Sequence, residues 1–115
     1  MRKVFEDLIF LGRLEKEFTL LGKKWTLSTL SSDEQVAATA ATGDLETISR
    51  INALKIHFLA RSIKKIDNEE IIDFNEGYEL VSQLQFPVVN ALYTRYQELQ
   101  EEQDEALKNL DEIKN

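Results

Sequence analysis

The chain has 115 residues, of which 43% are apolar, and a formal net charge of −7. That composition supports one core burying roughly two thirds of the unfolded surface, and it excludes compositional disorder. There is no cysteine, which excludes disulfides and thiolate metal sites.

The charge is unevenly placed. Residues 1–66 hold 11 Lys/Arg against 8 Asp/Glu, a balance of +3, whereas residues 67–115 hold 3 against 13, a balance of −10. Such an acidic half repels phosphate backbones and anionic membrane surfaces, so no nucleic-acid or membrane partner is expected and a protein partner fits better. No window approaches the ~20 apolar residues that span a bilayer. Glu6 and Asp7 interrupt the first apolar run, so no export signal is predicted there.

In chain order, residues 2–11 (RKVFEDLIFL) predict a short amphipathic helix. It turns Val4, Phe5, Leu8, Ile9 and Leu11 toward a partner surface and stops at Gly12. Residues 16–32 (KEFTLLGKKWTLSTLSS) then alternate apolar and polar side chains about one glycine, the pattern of a β-hairpin over about 16–29. With Gly22-Lys23 as the central turn residues, Leu20 faces Trp25 and Phe18 faces Leu27, and these four core residues share one face. Two strands alone are marginal in water, so helices or another chain must cover that face.

Ser31 with Glu34, or Ser32 with Gln35, meets the capping-box spacing and starts a short alanine-rich helix ending at Gly43. A longer helix is predicted over about 45–66, capped by Asp44. Leu45, Ile48, Ile51, Leu54, Phe58, Leu59, Ile63 and Ile66 would form its buried face, opposite a basic side. Residues 67–77 (DNEEIIDFNEG) read as an acidic turn, followed by a short helix over about 77–85.

Pro87 suits the first turn of a last helix. Along it Val89, Leu92, Tyr96, Leu99, Gln103, Ala106, Leu110 and Ile113 recur at alternating intervals of three and four, a heptad seam with acidic flanks. A helix this long outreaches a small core, so its distal part is expected to dock on something else. Gln103 and Ala106 make it a weak zipper, so a homo-oligomer or a different partner helix would fit it equally. The expected architecture is α+β, mostly α, with four or five helices: a hairpin-plus-helices core over 1–86 and a long acidic helix over 87–115.

Nothing in the chain predicts catalysis or a cofactor. The single histidine, His57, lies between Ile56 and Phe58 on a helix, where it reads as a packed residue rather than a base. Asp73, Asn75 and Gly77 resemble part of a calcium loop, but the glycine stands one place early and Leu84 occupies the position of the closing glutamate. No metal site is expected. The candidate interaction residues are Lys23 and Lys24 at the hairpin tip, and Tyr93, Tyr96, Leu99, Gln103, Ala106, Leu110 and Ile113 on the last helix.

Taken together, residues 18–67 (FTLLGKKWTLSTLSSDEQVAATAATGDLETISRINALKIHFLARSIKKID) resemble the core of small assembly proteins of tailed bacteriophages. These are tail assembly chaperones or, in contractile-tailed phages, baseplate hub or baseplate assembly subunits. The resemblance rests on the hairpin ending LGKKWTLSTLSSDE and on the helix ALKIHFLARSIKKID, with Leu59, Ala60, Arg61, Ile63 and Asp67 at the patterned positions. It implies a non-enzymatic protein of the host cytoplasm that binds tape-measure, tail or baseplate proteins during assembly. Its alternative is a permanent subunit of the virion tail or baseplate.

Overall fold

The computed structural model describes residues 2–114, with the side chains of 8–10 and 110–114 left aside. The elements run α1 (Lys3–Phe10), β1 (Glu15–Leu20), β2 (Lys23–Ser28), α2 (Ser32–Thr42), α3 (Thr47–Ser62), β3 (Ile63–Ile66), β4 (Glu69–Glu70), α4 (Phe74–Gln83) and α5 (Phe86–Lys114). The fold is α+β with five helices and a long C-terminal one. The β part is larger than one hairpin: four antiparallel strands lie in the order β1-β2-β3-β4.

The hairpin forms, but in another register. Phe18 pairs with Trp25, Leu20 with Lys23 and Lys16 with Leu27, so the central turn residues are Leu21-Gly22 rather than Gly22-Lys23. Both have positive φ, 54° and 75°, the signature of a type I′ turn, whose twist matches that of the strands. The displacement is by two residues, so Phe18, Leu20, Trp25 and Leu27 still share a face. Trp25 Nε1 donates to the Leu20 carbonyl at 3.0 Å, an anchor that belongs to this register. Leu21 is 71% exposed and is held left-handed, a conformation that costs an L-residue with a bulky side chain roughly 1–2 kcal/mol. Leu21→Asn, which creates the favoured Asn-Gly turn, is therefore expected to stabilise the protein by about 1 kcal/mol in denaturant titration.

The capping box at α2 is Ser31 with Glu34: the Ser31 hydroxyl accepts from Glu34 N at 3.2 Å, and the Glu34 carboxylate accepts from Ser31 N at 3.0 Å. The helix predicted over 45–66 is shorter at both ends. Its N-cap is Glu46, not Asp44, and it stops at Ser62, where Ile63 turns extended. Ile63–Ile66 instead form β3, pairing Ile63 with Leu27 and Ile66 with Trp25 across a bulge in the β2–β3 pairing. In IKKI the two isoleucines fit either a helix face or a strand, and the open edge of β2 decides between them. The segment read as an acidic turn contains β4 and the start of α4, whose Asp73 side chain accepts from Glu76 N at 3.0 Å. The tight β3–β4 turn is tied back to β2 by Asp67: its carboxylate accepts from Lys24 N at 2.8 Å and its own N–H donates to the Lys24 carbonyl.

The core gathers Trp25, Leu27, Leu30, Leu59, Ile63, Val81, Val89, Leu92, Tyr96 and Leu99. α5 lies over the sheet face that carries Phe18 and Leu27, and its first half closes the core. Leu45, Ile48 and Ile51, predicted as buried, are exposed. The α5 axis, about 43 Å at 1.5 Å per residue, matches the 45 Å long dimension of the molecule.

Candidate partner-binding surface

The residues singled out in the sequence fall into three groups. Tyr96 and Leu99 are fully enclosed, and Tyr93 is half-buried against Tyr96, with ring centroids 5.8 Å apart. These belong to the chain's own core, because the seam finds its hydrophobic counterpart in the sheet and α3 rather than in another molecule. Burial pushes the phenol pKa of both tyrosines up. The second group is local. Lys23 forms an ion pair with Asp67 at 3.5 Å, and Gln103 Nε2 donates to the Gly12 carbonyl at 3.0 Å. The third group is solvent-facing: Lys24 and Ala106 are exposed. Leu110 and Ile113 lie outside the described side chains.

His57 sits in an aromatic cluster joining α3 to α4. Its ring lies 5.7 Å from Phe74 and 5.2 Å from Tyr78, and Arg61 stacks over Phe74 at 4.0 Å. Arg61 Nη1 stands 3.3 Å from His57 Nδ1. The same Nη1 donates to the His57 carbonyl at 3.0 Å. Desolvation, and then the charge of Arg61, hold the His57 pKa below its ordinary 6.5. The unfolded chain thus binds a proton at a pH where the fold does not. Stability is expected to fall as pH drops from above 6.5 through the lowered folded-state value, and to level off below it. As His57 is the only histidine, His57→Gln should remove that slope from melting temperatures measured across the range.

A groove of about 580 Å³ lies between the α1–β1 linker, the β2–α2 turn and α5. Its walls combine Leu11 and Leu30 with the cations Arg13 and Lys64, the acids Asp33 and Glu34, and the hydroxyls of Ser28 to Ser32. Arg13 is set in place by its Nε, which donates to Ser28 Oγ at 3.0 Å, and by an ion pair with Glu15 at 2.9 Å. Ser62 Oγ in turn donates to the Ser28 carbonyl at 2.7 Å, and Thr29 N to the Leu14 carbonyl at 2.9 Å. Beside the groove's Leu11, α1 leaves Val4 and Phe5 exposed, with Arg2 over the Phe5 ring at 4.3 Å. Mixed charge, hydroxyls and apolar walls in an open groove suit a polypeptide segment better than a small apolar ligand.

Of the face predicted for α1, Val4, Phe5 and Leu11 are exposed, and Leu8 and Ile9 lie outside the described side chains. Arg13 and Lys64 were not legible as site residues, because the groove joins residues far apart in sequence. Among the described residues, no group of three or more His, Cys, Asp or Glu is placed to hold a metal ion, and no helix is long and apolar enough to cross a membrane. The chain matches no protein-family model, no curated protein and no solved structure.

Proposed function

We propose that this protein is a non-enzymatic assembly factor of tailed bacteriophages that binds a tape-measure, tail or baseplate protein in the host cytoplasm. The carrying observation is the apolar face of α1, Val4 and Phe5, exposed beside a polar groove that begins at Leu11. Exposed apolar side chains on a helix are a common means of capturing another helix, and the groove offers polar partners for the segment beyond it. The resemblance over residues 18–67 supplies the partner class, and the acidic second half would keep a complex with a hydrophobic rod in solution.

Co-expression with the tape-measure protein encoded by the same phage tests this. The expected result is a soluble complex that Phe5→Asp weakens at least about tenfold, as loss of an interface aromatic does. Tape-measure protein that stays insoluble, or a complex indifferent to Phe5→Asp, would overturn the reading.

The second reading, a permanent virion subunit, is favoured by the outer edge of β1, which no other described strand covers. Mass spectrometry of purified virions separates the two: a fixed copy number establishes the subunit, and absence establishes the chaperone.

A further inference from the structure

Residues 11–14 carry the chain from the end of α1 into β1, and the two ends of this linker are fastened to different elements. At the sheet end, Leu14 N donates to Thr29 Oγ1 at 3.1 Å, and Arg13 is held by Ser28 and Glu15. At the α1 end, Gly12 has a φ of 82°, the left-handed value that closes a helix and turns the chain away from it. The angle at which α1 leaves the molecule is therefore set at Gly12, where a residue without a Cβ takes that conformation at no steric cost.

Gly12 is held by the distal half of α5. Gln103 Nε2 donates to the Gly12 carbonyl at 3.0 Å, and a Cβ at Gly12 would stand 2.9 Å from Leu107 Cδ2 and 3.2 Å from its Cδ1. Leu107 thus packs directly on the open side of the glycine. Gln103 and Leu107 are four residues apart, so they reach Gly12 from one side of the helix. Beside them, Glu102 pairs with Lys16 near the start of β1. All three α5 residues lie beyond Leu99, the point up to which the helix contributes to the core. Gln103 also lines the groove, together with Leu11 from the linker, so one side chain meets both the elbow and the groove wall.

We propose that Gln103 and Leu107 form a latch on Gly12 that fixes the angle of α1, and so holds Val4 and Phe5 in one orientation beside the groove. They are positioning residues, since neither belongs to the apolar face of α1. The distal part of the α5 seam thereby acts on the chain's own linker. A helix already held in its binding orientation loses less conformational freedom when a partner docks, so the latch raises affinity by preorganisation. The consequence for affinity rests on the reading of α1 as the partner-binding helix, whereas the latch itself does not.

The chain has no cysteine, so Glu6→Cys on α1 and Glu79→Cys on α4, both at exposed positions, give two unique spin-label sites in the full chain. Pulsed electron resonance should show a narrow label-to-label distance distribution when the latch is intact. Gln103→Ala/Leu107→Ala should broaden it. So should Gly12→Ala, which leaves α5 unaltered but sets a methyl group against Leu107 and strains the left-handed elbow. A distribution already broad with the latch intact, or one that stays narrow in both variants, would overturn the latch. Affinity for the tape-measure protein is a separate readout. Gln103→Ala/Leu107→Ala should weaken the complex about fivefold, the scale of one net hydrogen bond. Leu107→Ala alone, outside the groove lining, should weaken it too, which separates the latch from a lost groove contact. Unchanged affinity in both variants, in a complex that Phe5→Asp does weaken, would overturn the positioning role. A complex indifferent to Phe5→Asp would instead count against the assembly reading and leave the label distances to decide the latch.

Discussion

Replacing Gly77 with alanine is expected to lower stability by about 2 kcal/mol, although an alanine in mid-helix ordinarily helps. A Cβ at Gly77 would collide with the Ala60 carbonyl oxygen and stand 3.1 Å from its carbonyl carbon and 3.2 Å from its Cα. All three are backbone atoms of α3, so no side chain can swing aside. α3 and α4 must move apart, and the overpacking term of 1–3 kcal/mol or more exceeds the roughly 0.5–1 kcal/mol of helix propensity that alanine restores. Separation also loosens Val81 and the His57–Phe74–Tyr78 cluster, which bridge the same two helices. Calorimetry should show a melting temperature lower by several degrees, at roughly 4 °C per kcal/mol for a chain of this size. A Gly77→Ala protein as stable as the wild type, or more so, would show that the helices do not approach this closely.

Truncating Leu99 to alanine should destabilise the whole domain by about 2–5 kcal/mol, the range for buried leucines. Leu99 is 2% exposed and lies with Phe18 and Leu27 where α5 crosses the sheet. The expected loss is therefore cooperative, with sheet and helix signals melting together. The contrast is Ala106→Ser, two turns further along the same seam but exposed, which should stay within about 0.5 kcal/mol of the wild type. Were α5 an independent appendage, Leu99→Ala would leave the sheet and its melting untouched. The two substitutions thus locate where the helix ceases to be core, between Leu99 and Ala106.

That boundary is also where the heptad pattern stops being informative. Val89, Leu92, Tyr96 and Leu99 meet sheet and α3, Gln103 bonds the Gly12 carbonyl, and Ala106 meets solvent, yet the spacing is the same throughout. Periodicity identifies an apolar side of a helix, but not what covers it. α3 shows the converse. Ile48 and Ile51 keep helical spacing with the buried Leu59, and yet they are exposed.

From the sequence alone came the elements whose causes are local: the capping box at Ser31, the shared face of Phe18, Leu20, Trp25 and Leu27, the unbroken last helix, and the charge division between the two halves. Each depends on side chains a few residues apart, where spacing and backbone preference act directly. The tertiary structure decided three further matters: the Leu21-Gly22 turn, the passage of Ile63–Ile66 from helix into a third strand, and the groove that brings Arg13, Lys64 and Gln103 together. In each, the local alternatives lie within a few kcal/mol of one another. Specific tertiary contacts separate them: the Trp25 hydrogen bond within the hairpin, and from farther along the chain the pairing at the open edge of β2 and α5 lying across the sheet.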